Sequence, residues 1–581
     1  MKYIIQNWDK QYDGILYFVQ RLQEMLFHYS DDIVKAPVHN TVTLIYEYIE
    51  LENDTEIMQF HFDAIANELI ASLQKDVVLK SKWSPSFISK LITALKVNQK
   101  ETVHYLHGLI SFREYYESCQ SYVLSVIDKS QNKSEIGAGL RCWIASTIWA
   151  GYTPEYVYRF LRNSFNIDID NPKESIEQFI NHFQLNENEY DVYFLFMGSI
   201  SQYKELLTNR LTVFFEEDPY FNKLKKKDNK AFVGKLKVKA IDPYVAMQMA
   251  YENLNIFMSF YRVISNRKKE LLGKNCFVRN CETNEEMTIP TISTGFKNIE
   301  IEPKLDLQET IDHAVIGCQS KPQDTYFALN KIIALHNMAL RQRDMNDAFV
   351  NLWSVLEVVS KDTEINSKIE RVIKSVLPIL QNDFFNKYFV SILHDIEDSL
   401  TKSEIKQMFS GLEDKDMQQD ILYELICLIT QPEYEKNRDE LFKKLTLYPN
   451  IRNKIYKVYK LREHKDQVFD LSVQYAQRLK WHLYRLYRVR NGIVHAGDKS
   501  RHIQVLGEHL HIYCDGIIME LISKLASEVS FVTIQDVLVD TKLLISSKED
   551  WFKDNGEFSR KDISYLIESS FKNLSDKSKS L

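Results

Sequence analysis

The sequence predicts a mainly α fold: an irregular helical N-terminal domain, a small β-containing connector and a C-terminal helical bundle. Three observations carry this. Apolar residues recur at helical spacing over most of the chain. Only 16 glycines and 12 prolines occur in 581 residues, far below the roughly 12% that is usual, which disfavours sandwiches, propellers and collagen. Hydrophobic residues at 45% against 26% charged supply ample material for burial, so a disordered or linker-like chain is excluded. At roughly 150 residues per domain, about three to four units are expected.

The helical N-terminal domain is assigned to residues 1–270. Ile15, Phe18, Val19, Leu22, Met25 and Leu26 keep to one helical face. In YTPEYVYRFLRNSF, Thr153 is the N-cap and Pro154 occupies the first helical position, where its missing N–H costs nothing. A helix from Pro154 to Phe165 is predicted. No repeat of 20 to 50 residues is evident, so a regular solenoid is not expected. Between Lys223 and Lys239, eight lysines stand against one acid, Asp228. The run can track a phosphate backbone, but no aromatic stacking pattern interleaves the charges. A solvated loop followed by a short strand with outward lysines is the stronger reading.

Around residues 276 to 303 the pattern changes to β-branched and turn residues, with alternation over Asn298 to Glu302. This gives the β-containing connector, 271–320. Helical periodicity then returns over 321–545, where Phe349, Leu352, Trp353, Leu356 and Val359 form one apolar face. Glu357 lies beside that face in sequence but about 100° away around the axis. A helix is also expected after Asp498 and Ser500. Residues 546–581 read as a polar C-terminal tail with a short helix.

Seven cysteines at 119, 142, 276, 281, 318, 427 and 514 form no disulfide framework. The opening MKYIIQNWDKQYDG lacks the apolar core of a secretory signal, and the most apolar stretches, such as Cys142 to Ala150, are too short to span a bilayer. A cytoplasmic chain with no membrane partner is expected. No cofactor and no metal site is expected. Cys276 and Cys281 lack a second pair of ligands, and His104 and His107 lack a neighbouring carboxylate motif. A net charge of −7 argues against nonspecific nucleic-acid binding by the whole surface.

The stretch most suggestive of chemistry runs from Arg478 to His502. Seven Lys or Arg residues (478, 480, 485, 488, 490, 499 and 501) face a single acid, Asp498, so a local anion site is indicated. On a helix, Leu479, Leu483, Leu486 and Arg490 fall at about 0°, 40°, −20° and 20°. Arg490 therefore continues an apolar stripe, and a charge there needs a partner. Asn491 and Gly492 predict a left-handed helix stop, with Arg490 in the last turn and His495 opening the next segment. Arginine and histidine so placed can be structural, satisfying terminal carbonyls or sitting hydrogen-bonded in the core.

The string from Arg485 to Gly497, with Arg490-Asn491-Gly492-Ile493-Val494-His495-Ala496-Gly497 at its centre, resembles the HEPN family signature. It looks most like the Apea-like branch, in which an "LW..LE" helix precedes an "RN..VH.G" segment. The first motif is Leu352-Trp353-Ser354-Val355-Leu356-Glu357. The resemblance covers about 321–545 and departs from the family in the long separation between Trp353 and Arg490, which implies inserted helices. It implies a HEPN-type bundle that pairs as a homodimer around one groove, and a metal-independent endoribonuclease activity. In that chemistry a ribose 2′-hydroxyl attacks the adjacent phosphorus. His495 moves a proton, Arg490 stabilises the phosphorane oxygens, and Asn491 orients His495 or the phosphate, or simply ends the helix. Arg485 and Arg488, at i and i+3, are the expected RNA-backbone contacts. Some HEPN toxins carry a tyrosine two places after the histidine for a nucleotidyltransferase antitoxin. Gly497 stands there, so no such partner is expected. By analogy of layout the N-terminal domain senses a phage-derived trigger in abortive infection. The alternative is a noncatalytic HEPN scaffold that binds RNA, nucleotide or a protein partner.

Overall fold

The computed structural model describes residues 3–28, 30–53, 58–128, 132–196, 212–214, 232–265, 272–291, 314–342, 344–361, 365, 367–409, 421–496, 502–527, 530–553 and 556–567. The fold is mainly α, as expected.

The first helical region runs from Asp13–Leu26 to Pro172–His182. Its helices are set by local signals. Asn40 caps Thr41–Leu51 by accepting from the backbone N–H groups of Val42 and Thr43, and Thr153 caps Pro154–Phe165 with proline at its first turn. Their apolar faces enclose Phe18, Leu22, Trp143, Leu161, Phe165 and Phe179, all buried.

A sheet follows, five antiparallel strands in the order β2-β3-β1-β4-β5: β1 (Asn188–Phe196), β2 (Thr212–Phe214), β3 (Phe232–Ala240), β4 (Leu272–Asn280) and β5 (Glu286–Pro290). In register, Asn188 faces Ala240 and Tyr190 faces Asn280. The period-two set Tyr190, Val192, Phe194 and Phe196 packs against Ala246, Ala250, Leu254 and Met258 of the Pro243–Ser265 helix. Asp242 joins this unit to the first. Its carboxylate accepts from the N–H groups of Tyr244 and Val245 and from the Thr153 N–H and hydroxyl, and burial raises it to about 6. The lysine run meets the sheet in β3, where Lys235 pairs with Asp191 at 3.4 Å and Lys237 with Glu189 at 3.3 Å, consistent with outward lysines. Lys223 itself lies outside the described residues, as do Asn298 to Glu302.

The sheet corrects the expected boundaries. β1, β2 and β3 fall inside 1–270, where only a short strand at the end of the lysine run was expected, so the β element is longer than the 271–320 connector and begins about eighty residues earlier. The C-terminal end differs as well. Ile534–Trp551 and Arg560–Ile567 are helices, and Phe552 and Phe558 between them, with Ile563, Leu566 and Ile567 of the second, enter the main C-terminal core. The expected short helix is Arg560–Ile567, and the tail before it is packed structure, not a polar extension. Residues 568–581 lie outside the described residues.

The second helical region begins with Gln323–Arg341 and Met345–Val359, and the long gap between the two motifs contains the helices Lys368–Asn382, Phe384–Ser399, Lys402–Phe409, Ile421–Thr430, Glu435–Lys444 and Pro449–Leu461. Lys465–Asn491 and Ile503–Ser527 complete its centre. The two helical regions share polar buried contacts. Lys454 lies between Glu24 and Asp395, with Tyr3 donating to Asp395 at 3.0 Å, and Tyr475 donates to Asp32 at 2.7 Å. No described helix is long and apolar enough to cross a membrane. The described cysteines are free thiols.

Candidate active site

The Lys465–Asn491 helix is the spine of the site. Leu479, Leu483 and Leu486 are buried along one stripe, and the helix packs on both Met345–Val359 and Gln59–Lys75. Phe349, Leu352, Trp353, Leu356 and Val359 are buried as the periodicity predicted.

Arg490 continues the stripe and finds its partner there. Its Nη2 lies 3.6 Å from Glu357 Oε1, and its Nη1 donates to Asn491 Oδ1 at 3.2 Å. Glu357 Oε1 also accepts from Trp353 Nε1 at 3.0 Å. The Trp353 ring meets Tyr487, one turn before Arg490, with centroids 5.6 Å apart. The two sequence motifs thus share one contact network. One donor is left over: among the described residues Arg490 Nε is buried without a hydrogen-bond partner, a costly arrangement unless water or a ligand supplies an acceptor.

The predicted helix stop at Gly492 is corrected. Gly492 has φ −56° and ψ −46°, right-handed helical values, and Gly492–Ala496 continues as a π turn. Glycine permits a left-handed stop without requiring one. The change affects the site. In an α-helix, residues five apart are about 140° apart around the axis, whereas a π turn bonds i to i+5 and brings them toward one side. His495 lies within that turn, while Arg490 belongs to the α-helix before it. His495 is exposed, and Asn491 and Ile493 are partly buried. Gly497, Asp498, Lys499, Ser500 and Arg501 lie outside the described residues.

Arg485 and Arg488, the expected phosphate contacts, are engaged by carboxylates in this structure. They lie about 60° apart on the helix, with Arg490 about 140° from Arg485, so they face the N-terminal helices instead. Arg485 forks onto Glu47 with Nε–Oε1 and Nη2–Oε2 both at 2.8 Å, and donates to Glu68 at 2.7 Å; Arg488 also donates to Glu47. Burial opposes ionisation of Glu47, but the two guanidiniums and His39 overcome it and hold the carboxyl well below the usual range. Glu68 is instead raised, burial outweighing Arg485. Beside them His61 stacks on Tyr487 at 6.0 Å, and burial, then Arg488, pushes its imidazole down to about 4.

Sequence reasoning missed Glu47 and Glu68. Nothing in the spacing of the basic stretch names acids more than 400 residues away. No protein-family model, curated protein or solved structure matches the chain.

Proposed function

We propose that the chain is a metal-independent HEPN-type endoribonuclease that cleaves RNA by 2′-hydroxyl attack, acting in the cytoplasm in bacterial anti-phage defence. The observation that carries this reading is the buried Nε of Arg490, unpartnered among the described residues, five residues before an exposed His495 on a π turn. π turns of this kind occur frequently at functional sites. A phosphate oxygen would supply the acceptor that Nε lacks, and the guanidinium would meet the charge that develops on the phosphorane. His495, open to solvent, takes the 2′-hydroxyl proton or returns one to the leaving 5′-oxygen. The products are a 2′,3′-cyclic phosphate and a 5′-hydroxyl. Glu357 and Asn491 orient Arg490, and Trp353 orients Glu357. A second copy, joined through the HEPN bundle, completes the groove.

The engagement of Arg485 and Arg488 by Glu47 and Glu68 supports the sensing role proposed for the N-terminal region. A phage-derived trigger acting there releases basic side chains toward RNA. The same observation suits the noncatalytic scaffold reading, in which the arginines serve only architecture. Cleavage decides between them. Single-stranded or structured RNA incubated with the full chain in EDTA, with and without lysate from infected cells as trigger, is expected to yield 2′,3′-cyclic phosphate ends. His495→Ala is expected to lower the rate by about 10²–10⁴-fold, and Arg490→Ala by about 10²–10³-fold. Cleavage undiminished in His495→Ala removes the histidine from the mechanism.

A further inference from the structure

Away from Arg490, two histidines and an aspartate converge from two helices. His336 belongs to Gln323–Arg341, and His511 and Asp515 stand one turn apart on Ile503–Ser527. One ligand atom from each lies within 4.8 Å of the other two. His336 Nε2 is 2.8 Å from Asp515 Oδ1, and His511 Nε2 is 3.4 Å from Asp515 Oδ2. The imidazoles lie nearly parallel, 9° apart, with centroids at 5.2 Å.

The close His336–Asp515 approach does not behave as an ordinary ion pair. Among the described residues, His336 Nε2 is buried and makes no hydrogen bond, although the carboxylate oxygen stands 2.8 Å away. A nitrogen and an oxygen this near but misaligned for donation are placed as two ligands of a common centre would be. The spacings agree. Ligand atoms about 2.0–2.1 Å from a tetrahedral zinc ion stand roughly 3.3 Å apart; the two imidazole nitrogens approach different oxygens of the same carboxylate at 2.8 and 3.4 Å, and one atom from each residue lies within 4.8 Å of the other two. The histidines are largely buried, at 14% and 12% side-chain exposure, while Asp515 at 41% opens to solvent, leaving room for water at a fourth position.

We infer that His336, His511 and Asp515 form a binding site for a divalent transition-metal ion of zinc type, with two imidazoles, one carboxylate and an open position. Imidazole and carboxylate donors suit zinc and its first-row neighbours better than magnesium or calcium, which prefer all-oxygen sets. The ion clips together the two helices that flank the motifs: Gln323–Arg341 leads into the helix of Trp353 and Glu357, and Ile503–Ser527 follows the turn of His495. The clip stands apart from the cleavage chemistry.

The test uses the full chain, stripped with EDTA, freed of chelator and titrated with Zn²⁺ against a chromophoric chelator, then with Co²⁺ while recording visible d–d absorption. One tight equivalent is expected in the parent chain, with a higher melting temperature on loading. His336→Ala and Asp515→Asn are each expected to weaken that equivalent about 100-fold or more and to abolish its Co²⁺ bands. Asp515→Asn alters a half-exposed side chain, so it remains informative if His336→Ala folds poorly, as judged by circular dichroism. A parent chain that retains no equivalent against the chelator overturns the inference, leaving a simple histidine–aspartate pair. So does an equivalent, or a Co²⁺ spectrum, unchanged in Asp515→Asn.

Discussion

Glu47 is the residue on which the contact between the N-terminal helices and the basic helix depends, and Glu47→Gln tests that. Its carboxylate takes both arms of the Arg485 fork and one from Arg488, with His39 Nε2 at 3.6 Å. Side-chain exposures of 13% for Glu47, 7% for Arg485 and 9% for Arg488 exclude most solvent screening. Two guanidiniums face two carboxylates, so removing one charge leaves the arginines opposed by Glu68 alone. Breaking a buried ion pair by neutralising one partner costs about 3–5 kcal/mol. The glutamine oxygen still accepts one hydrogen bond, which places the expected loss near the lower end, about 3 kcal/mol. Glu68→Gln is the control. It removes one 2.7 Å contact, leaves the fork on Glu47 intact and neutralises a carboxyl whose ionisation burial already opposes; about 1–2 kcal/mol is expected on the scale of one charged hydrogen bond. Urea unfolding at constant slope reads the difference in midpoint, and amide exchange over Thr41–Leu51 reports whether the loss is local. A Glu47→Gln variant within about 1 kcal/mol of the parent, or less affected than Glu68→Gln, refutes the assignment of Glu47 as the charge the arginines depend on.

One further outcome follows from a buried imidazole and another from a pair of glycines. His482 is pushed down to about 3, first by burial and then by Arg485, and its Nδ1 is 2.9 Å from the Tyr513 hydroxyl. The folded chain then binds fewer protons at this site than the unfolded chain, so the contribution is complete above about pH 6.5 and falls as pH drops toward the folded value. By pH 5 one such histidine costs about 2 kcal/mol. His482→Gln is expected to flatten the pH 7-to-5 stability slope; an unchanged slope shows that the imidazole is protonated in the fold. Gly317→Ala is expected to destabilise by about 1–3 kcal/mol, because its Cβ would stand 2.6 Å from the Ala526 backbone. Gly108→Ala, which meets nothing within 4 Å, should gain about 0.4–1 kcal/mol; equal thermal shifts in the two variants contradict the packing described.

Local signals were legible and distant pairings were not. Thr153-Pro154 announces its helix because cap and first turn are adjacent in sequence, and the Phe349-to-Val359 stripe announces its buried face through period alone. β1 was missed because Tyr190, Val192, Phe194 and Phe196 sit in a short, almost wholly apolar run, which period cannot separate from a buried helix segment. The Asn491-Gly492 pair was over-read: its chemistry allows a stop, and packing against the Met345–Val359 helix accompanies continuation into a π turn. The need for a partner at Arg490 was visible from the stripe. That Glu357 meets it was not, since sequence carries no record of which distant helix faces which.

The same geometry explains how one helix can serve two sides. Arg485 and Arg488 point to the N-terminal helices while Arg490, on a different azimuth, points to Glu357, so a ligand that displaces Glu47 need not touch Arg490. It must, however, outcompete the carboxylates. With about 3–5 kcal/mol at stake, a trigger has to prefer the released arrangement by roughly 10²–10⁴-fold to make it dominant. An RNA phosphate alone, competing against a pre-formed bidentate carboxylate, meets that same penalty. On the proposed reading, the resting chain therefore keeps its basic strip closed, and contact with the N-terminal helices supplies the difference.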